Sequence, residues 1–452
     1  MARIKDMTCG RPAPLLIGFA LPLMLGNVFQ QLYTVVDTAI VGKALGVGAL
    51  GALGATDWLT WMIIGMVQGL TQGFSIRMAK EFGAKDYDAL RRTVAISTIL
   101  SAASAVFLLI LAQLLARPLL EFLKTPSEVI SGSLLYIRYI FAGIPIITAF
   151  NLLASTLRAL GDGKTPLYAM IVAALTNIAL DLLFVLVFHW GIAGAAIATL
   201  IAQFASCVFC FMNLRKIEIL KLSKNDFRIS AVIIGHLLGL GTPMCLQNAI
   251  IAIGGMIIQM EVNRFGLIFL AGFTASNKLF GILEIAGSSF GFALVSYVGQ
   301  NLGAKNIPRI RRGVFQGALL AVSTSIVIGL TMLIFGDIFI SCFISGTPEQ
   351  VEQASIIAYR YLATMSLALP SLYILHAYRS SLQGLGDTIM PMLSGILELF
   401  LRVSLVFTLP KYLGSDGIFV AEVSAWIGAA VMLTIVYYIR QHRLAKNPFY
   451  NV

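Results

Sequence analysis

The chain has 452 residues, 58% of them hydrophobic and 12% charged, with a mean hydropathy of +0.88, which excludes an ordinary soluble domain and leaves a polytopic membrane protein. A formal net charge of +11 would suit a nucleic-acid binder, but the basic residues cluster at the ends of apolar runs, so membrane topology accounts for them and no nucleic-acid partner is expected.

Runs long enough to cross a hydrocarbon core of about 30 Å recur along the whole length. They predict helices over 14–41, 48–77, 92–116, 128–157, 166–188 and 192–214, then over 234–263, 268–300, 310–337, 351–382, 391–410 and 416–440. These runs are too long for barrel strands, so the expected fold is all-α with twelve spans. The opening MARIKDMTCGRPAP is basic and lacks a small-residue cleavage site, so the first run is expected to stay as a helix.

In the first span Asp37 follows Pro22 by fifteen residues. Proline removes one helical hydrogen bond, which makes Pro22 a candidate hinge. An ionisable group near the bilayer centre costs about 2.5–3.5 kcal/mol, so Asp37 needs a reason to be there. Asp57 in the second span sits beside Trp58 and near Trp61, which read equally well as interfacial anchors. The fourth span supplies Tyr136, Tyr139 and Asn151, candidate cavity residues that could instead cap the acids and fix packing. The fifth carries Asn177 and Asp181 on one face, and the sixth adds Thr199. Two carboxylates, an amide and a hydroxyl make a hard oxygen set for Na⁺, or the acids could share a proton.

Cys207 and Cys210 are spaced as CxxC in an apolar helix, which favours packing over redox chemistry; with Cys9, Cys245 and Cys342 they form no paired framework. Four scattered histidines give no metal motif and no cofactor is expected. The polar stretch 216–230 divides the chain into lobes over 1–215 and 231–452. In the second lobe Glu261 reads as interfacial, Lys278 and Glu284 as candidate cavity residues, and Glu398 with Arg402 as an i,i+4 ion pair. Counting loops on alternate sides, 23 basic residues from Arg3 to Lys446, among them Arg158 and Arg379, face five on the other side: Lys43, Arg117, Lys124, Arg264 and Lys411. Both termini are therefore expected in the cytoplasm.

The two lobes repeat each other. ALPLMLGN (20–27) returns as GTPMCLQN (241–248), FGAKDYDALRR (82–92) as LGAKNIPRIRR (302–312), and LRALGDGKTP (157–166) as LQGLGDTIMP (382–391), at offsets of 221, 220 and 225 residues. Parallel repeats of six helices imply a pseudo-twofold axis along the membrane normal. Asp37 and Asp181 have no acidic counterpart in the second copy; Arg402 stands opposite Asn177 and Val406 opposite Asp181.

The duplicated layout, the opening FALPLMLGNVFQQLYTVVDTAIVG, the GAKD and GAKN loops and the two LGD motifs resemble the multidrug and toxic compound extrusion (MATE) transporters, in particular the branch of DNA-damage-inducible prokaryotic members. That resemblance implies a V-shaped pair of lobes, no enzymatic activity, and export of amphiphilic, often cationic compounds by alternating access against Na⁺ or H⁺. It further implies a monomer in the cytoplasmic membrane of a bacterium or archaeon, and a coupling-ion site at Asp37, Asn177, Asp181 and Thr199. An acidic site that another branch carries on helices 7 and 10 has no match, because the tenth span holds no acid between Glu352 and Asp387. The alternative is a flippase for lipid-linked oligosaccharides, which would need more deep basic residues than Lys278 and Arg402.

Overall fold

A computed structural model describes residues 4–123, 125–341, 343–344 and 347–446; Arg3, Lys124 and Cys342 lie outside them. The described residues contain helices and turns and no strand. The long helices are α1 (Pro12–Leu45), α2 (Val47–Gly83), α3 (Tyr87–Phe122), α6 (Lys164–Asp181), α7 (Gly191–Leu214), α8 (Ala231–Arg264), α9 (Leu267–Gly303), α10 (Ile307–Ser341), α11 (Pro348–Gly384), α12 (Ile389–Val406) and α14 (Asp416–Ala445). Between them stand α4 (Ser127–Ala142), α5 (Ile144–Ala159) and the single turn α13 (Pro410–Leu413). Among the described residues nine helices are long and apolar enough to span a membrane unaided, or ten with the bent pair α4 and α5. The more polar α2 and α11 complete the twelve expected spans.

Two of those spans depart from the simple prediction. The fourth is two helices bent by 47° at Gly143. A Cβ at Gly143 would lie 2.0 Å from Leu200 Cδ2, so glycine lets α7 approach the bend, and Pro145, two residues on, cannot continue the hydrogen-bond ladder of α4. The fifth span changes pitch after Asp181 into a π-helical segment, Leu182–Val187. There the Phe188 N–H donates to the Leu183 carbonyl (2.9 Å), and Trp190 N–H to that of Phe184 (2.9 Å), while the Phe184 and Trp190 rings stack at 4.7 Å.

The repeated motifs are turn and cap devices. In the LGD turns Gly161 and Gly386 take φ of +79° and +85°, a region that side chains avoid. The aspartate that follows each glycine then caps the next helix. Asp162 Oδ1 accepts from the N–H groups of Lys164 (3.0 Å) and Thr165 (2.9 Å), and Asp387 Oδ1 from that of Met390 (3.2 Å). In GAKD and GAKN, Lys85 and Lys305 adopt φ of 59° and 58°. Asp86 and Asn306 then accept from Ala89 N–H (3.0 Å) and Arg309 N–H (3.1 Å). Replacing Asp162 by alanine is expected to cost about 0.5–2 kcal/mol, the worth of a helix cap, read as a lower melting temperature of the purified protein.

The chain packs as two compact units. One comprises 1–6 and Leu21–Ala249, the other Met7–Ala20 and Ile250–Val452. Helices α1 and α8 are therefore each shared: α1 passes from the second unit to the first at Leu21, beside Pro22, and α8 passes the other way at Ile250, seven residues after Pro243. In the first unit Phe74, Met78, Leu90, Val94, Leu157 and Leu160 form an apolar core. Ile217 and Leu220 of the polar stretch join it, so this segment is anchored rather than a loose tether. In the second unit Phe269 of α9 stacks on Phe419 of α14, whose ring also meets Tyr361 of α11, and Tyr361 in turn meets Phe273 of α9.

Two arginines counted above as loop markers are buried instead. Arg158 donates to Ser155 Oγ (2.7 Å), and Arg379 is taken up by Glu398 of α12. Glu261 pairs with Arg264 at 2.9 Å at the end of α8.

Candidate cation site in the first unit

Helices α1, α6 and α7 bring together Asp37, Asn177, Asp181 and Thr199. Asp181 and Asn177 are 0% and 1% exposed and Asp37 7%. The carboxyl groups of Asp37 and Asp181 face each other at hydrogen-bonding range. Two ionised carboxylates have no hydrogen to share, and Asp37 Oδ1 and both Asp181 oxygens have no donor among the described residues. One proton between them, or one cation, would resolve that.

The amide and hydroxyl are oriented by their own bonds. Thr199 Oγ1 donates to the Ala195 carbonyl (3.1 Å) and accepts from Asn177 Nδ2 (3.4 Å). That fixes the Asn177 amide with its oxygen free, and Asn177 Oδ1 is a further buried atom without a donor. Four such oxygens in one place are costly unless something positive satisfies them.

The surroundings differ on the two sides. One helical turn beyond Asp37, Asp181 and Thr199, toward the end where α1 meets α2 and α6 meets α7, stand Val41, Val185 and Ala195. With Ala49 and Leu53 they form an apolar layer, against which Tyr136 packs. One turn the other way stand Tyr33 and Gln203, which hydrogen-bond to each other, and Tyr33 feels the charges of both aspartates. The site is therefore closed by hydrocarbon on one side and lined by polar groups on the other. Tyr136 lies within electrostatic reach of Asp37, Asp181 and Asp57. Tyr139 is exposed, and Asn151 Nδ2 donates to the Ile147 carbonyl of its own helix (2.9 Å), so neither caps the acids.

Tyr33 and Gln203 escaped the sequence reading, although each lies one turn from a chosen residue. The second unit holds polar groups that it also missed: His376, Arg379 and Glu422. Arg379 is the close partner of Glu398, and Arg402 stands 3.9 Å from the same carboxylate. The expected i,i+4 pair is thus one limb of a larger cluster. Lys278 is exposed, and Glu284 contacts His376 at 3.4 Å.

The profile of the MatE family matches the chain twice, over residues 22–183 and 243–408, one match to each copy of the repeat. The chain belongs to the MatE family. As in the rest of that family, it is a multi-pass membrane transporter rather than a member of an enzyme class. It is 28% identical over 417 residues to the probable multidrug resistance protein YpnP of Bacillus subtilis, covering 91% of this chain and 92% of that one. It is 25% identical to the probable multidrug resistance protein NorM of Thermotoga maritima, over 91% and 88% of the two chains. Among solved structures, a MOP superfamily transporter from Pyrococcus furiosus superposes with a TM-score of 0.92 at 22% identity, covering 98% of both chains. An outward-facing multidrug resistance MATE transporter gives 0.90 at 22% identity, covering 98% and 99%. These likenesses establish the MatE fold.

Proposed function

We propose that the protein exports amphiphilic, often cationic compounds across a bacterial or archaeal cytoplasmic membrane, by antiport against Na⁺ or H⁺. Asp37, Asn177, Asp181 and Thr199 hold the coupling ion. The observation that carries this reading is the convergence of four buried oxygens with no donor, from Asp37, Asn177 and Asp181. The names of the relatives YpnP and NorM support the export of drugs. The chain works as a monomer with both termini in the cytoplasm, and the two halves of the repeat, over 1–215 and 231–452, form the lobes that alternate.

Loading neutralises one buried charge on α1, and Pro22 lets that helix bend in response. Asp37 lies about 22 Å along the axis from Pro22 at 1.5 Å per residue, so a small change of angle at the proline displaces the site end appreciably. Pro22→Ala is accordingly expected to retain ion binding and lose turnover, measured as dye efflux against the effect of Na⁺ and of pH on substrate binding.

The apolar layer of Val41, Val185 and Ala195 keeps water from the loaded site on its side, so exchange runs past Tyr33 and Gln203. Val185→Asn places a polar group in that layer and is expected to raise substrate-independent leak of the coupling ion from proteoliposomes. An unchanged leak would remove the barrier role.

The test of the function itself is dye efflux from proteoliposomes under separately imposed Na⁺ and pH gradients. One of the two gradients drives efflux by the wild type, and neither does so for Asp37→Asn. Equal efflux by wild type and variant under both gradients would falsify the assignment.

A further inference from the structure

The second unit carries an apolar groove on its outer face that ion coupling does not use. Helices α10 and α14 each pack along α11 and barely touch one another, which leaves a trough of about 540 Å³ between them. Its walls are large, exposed side chains, Phe315 and Leu319 of α10 and Val431 and Ile435 of α14. Its base is made of small ones, Ala318, Ser371 and Ala430, so the space stays open. Ser371 Oγ donates to the Ala368 carbonyl (2.7 Å) and Thr434 Oγ1 to the Ala430 carbonyl (2.7 Å). These hydroxyls are satisfied within their own helices, and the surface offered is hydrocarbon. From Ile427 to Tyr438 the groove runs about 16 Å at 1.5 Å per residue. That is about half of a hydrocarbon core of about 30 Å, the depth of one leaflet.

The end where α10 begins and α14 finishes is polar. Tyr378, Tyr437 and Tyr438 cluster there with ring centroids 5.2 to 6.0 Å apart. The hydroxyls of Tyr378 and Tyr438 lie 3.2 Å apart. One hydrogen bond between two hydroxyls uses one of their two hydrogens and leaves the other for an outside acceptor. Tyr437 is 2% exposed, and its hydroxyl has no partner among the described residues. Arg311 lies within electrostatic reach of Tyr437. It stands four residues before Phe315, hence on the face of α10 that forms the wall.

No carboxylate answers Arg311. Asp387, the acid in the turn after α11, is held by Arg440 at 2.9 Å. Helix α10 has no acid before Asp337, and α14 none after Glu422. An unpaired guanidinium beside hydroxyl hydrogens without acceptors calls for an anion with several oxygens. A hydrocarbon trough that starts one helical turn away calls for an acyl chain on the same molecule. A zwitterionic headgroup would bring an ammonium for which this end has no free carboxylate.

We propose that the groove between α10, α11 and α14 is a site for one anionic phospholipid. An acyl chain lies along Phe315, Leu319, Val431 and Ile435, and the phosphate is held by Arg311 and the tyrosine hydroxyls. With the termini in the cytoplasm, as proposed above, this lipid belongs to the cytoplasmic leaflet.

The test is native mass spectrometry of the full chain, stripped of lipid in detergent and titrated with phosphatidylglycerol or phosphatidylcholine of the same acyl chains. The wild type is expected to bind one phosphatidylglycerol about five- to tenfold more tightly than phosphatidylcholine. Arg311→Gln should abolish that preference, and Val431→Trp, which fills the groove from its wall, should weaken binding of both lipids. Arg228→Gln, a basic residue of the polar stretch, should leave the preference in place. Equal binding of the two lipids by the wild type overturns the proposal. So does a preference that survives Arg311→Gln or is lost equally in Arg228→Gln, or a Val431→Trp protein that binds like the wild type. Arg311 and Val431 are both exposed, so both variants should fold. Should either fail, Tyr378→Phe/Tyr438→Phe removes the free hydroxyl hydrogen and is expected to reduce the preference; an unchanged preference overturns the proposal equally. Binding in detergent involves no ion gradient and no sidedness, so the result is separate from the coupling-ion and topology readings.

Discussion

Asp181→Asn is expected to insert and fold like the wild type and to lose gradient-driven efflux. The substitution keeps the shape of the side chain and removes the charge that makes a loaded and an unloaded state different. An ion can shift a conformational equilibrium only by its difference in affinity for the two states. Coupling free energies of about 1–3 kcal/mol correspond to about 5- to 150-fold in affinity, and losing one of the two proposed carboxylate ligands should remove most of that factor. Asp37→Asn should behave alike, because the two carboxyl groups face each other and in the proposed function share one ion. The measurement is efflux rate together with the effect of Na⁺ or pH on substrate binding. A variant that retains ion-dependent binding at wild-type strength would show that the aspartates serve packing instead.

Glu398→Met is expected to be the most destabilising of the substitutions considered in the second unit. It strands Arg379 and Arg402, both 10% exposed or less, without their shared carboxylate. Breaking a buried ion pair from one side costs about 3–5 kcal/mol, whereas replacing both partners by well-packed apolar groups is often neutral or stabilising. Arg379→Met should cost less than Glu398→Met, because Arg402 remains 3.9 Å from the glutamate. The double variant Arg379→Met/Glu398→Met should recover only part of the loss, because Arg402 still loses that carboxylate. Thermal melts of the three proteins in the same detergent check that order, and a double variant less stable than Glu398→Met would contradict it.

Much of this was legible in the sequence because a bilayer imposes a simple rule. Long apolar runs must be helices, and a carboxylate within one demands an explanation. Asp37, Asn177 and Asp181 were conspicuous for that reason, and helical spacing alone placed Asn177 and Asp181 on one face. The break at Gly143 was less visible, because glycine followed by Ile144 and Pro145 leaves the run's hydropathy unchanged. The π-helical turn after Asp181 has no composition signal in LLFVLV at all; it depends on Trp190 packing back onto Phe184. Arg379 misled because a basic residue near a helix end reads as a loop marker, while its partner Glu398 comes from another helix. Tertiary pairing of that kind has no fixed spacing along the chain.

The sharing of α1 and α8 between the compact units bears on how such a chain could have arisen. Met7–Ala20 at the head of the first copy pack with the second unit, and the head of α8, up to Ala249, packs with the first. Each copy thus lends its leading segment to the other, the pattern left when a domain-swapped homodimer is fused into one polypeptide. A single chain, unlike a homodimer of one sequence, can carry a pair of aspartates in one copy and Arg402 and Val406 on the corresponding helix of the other.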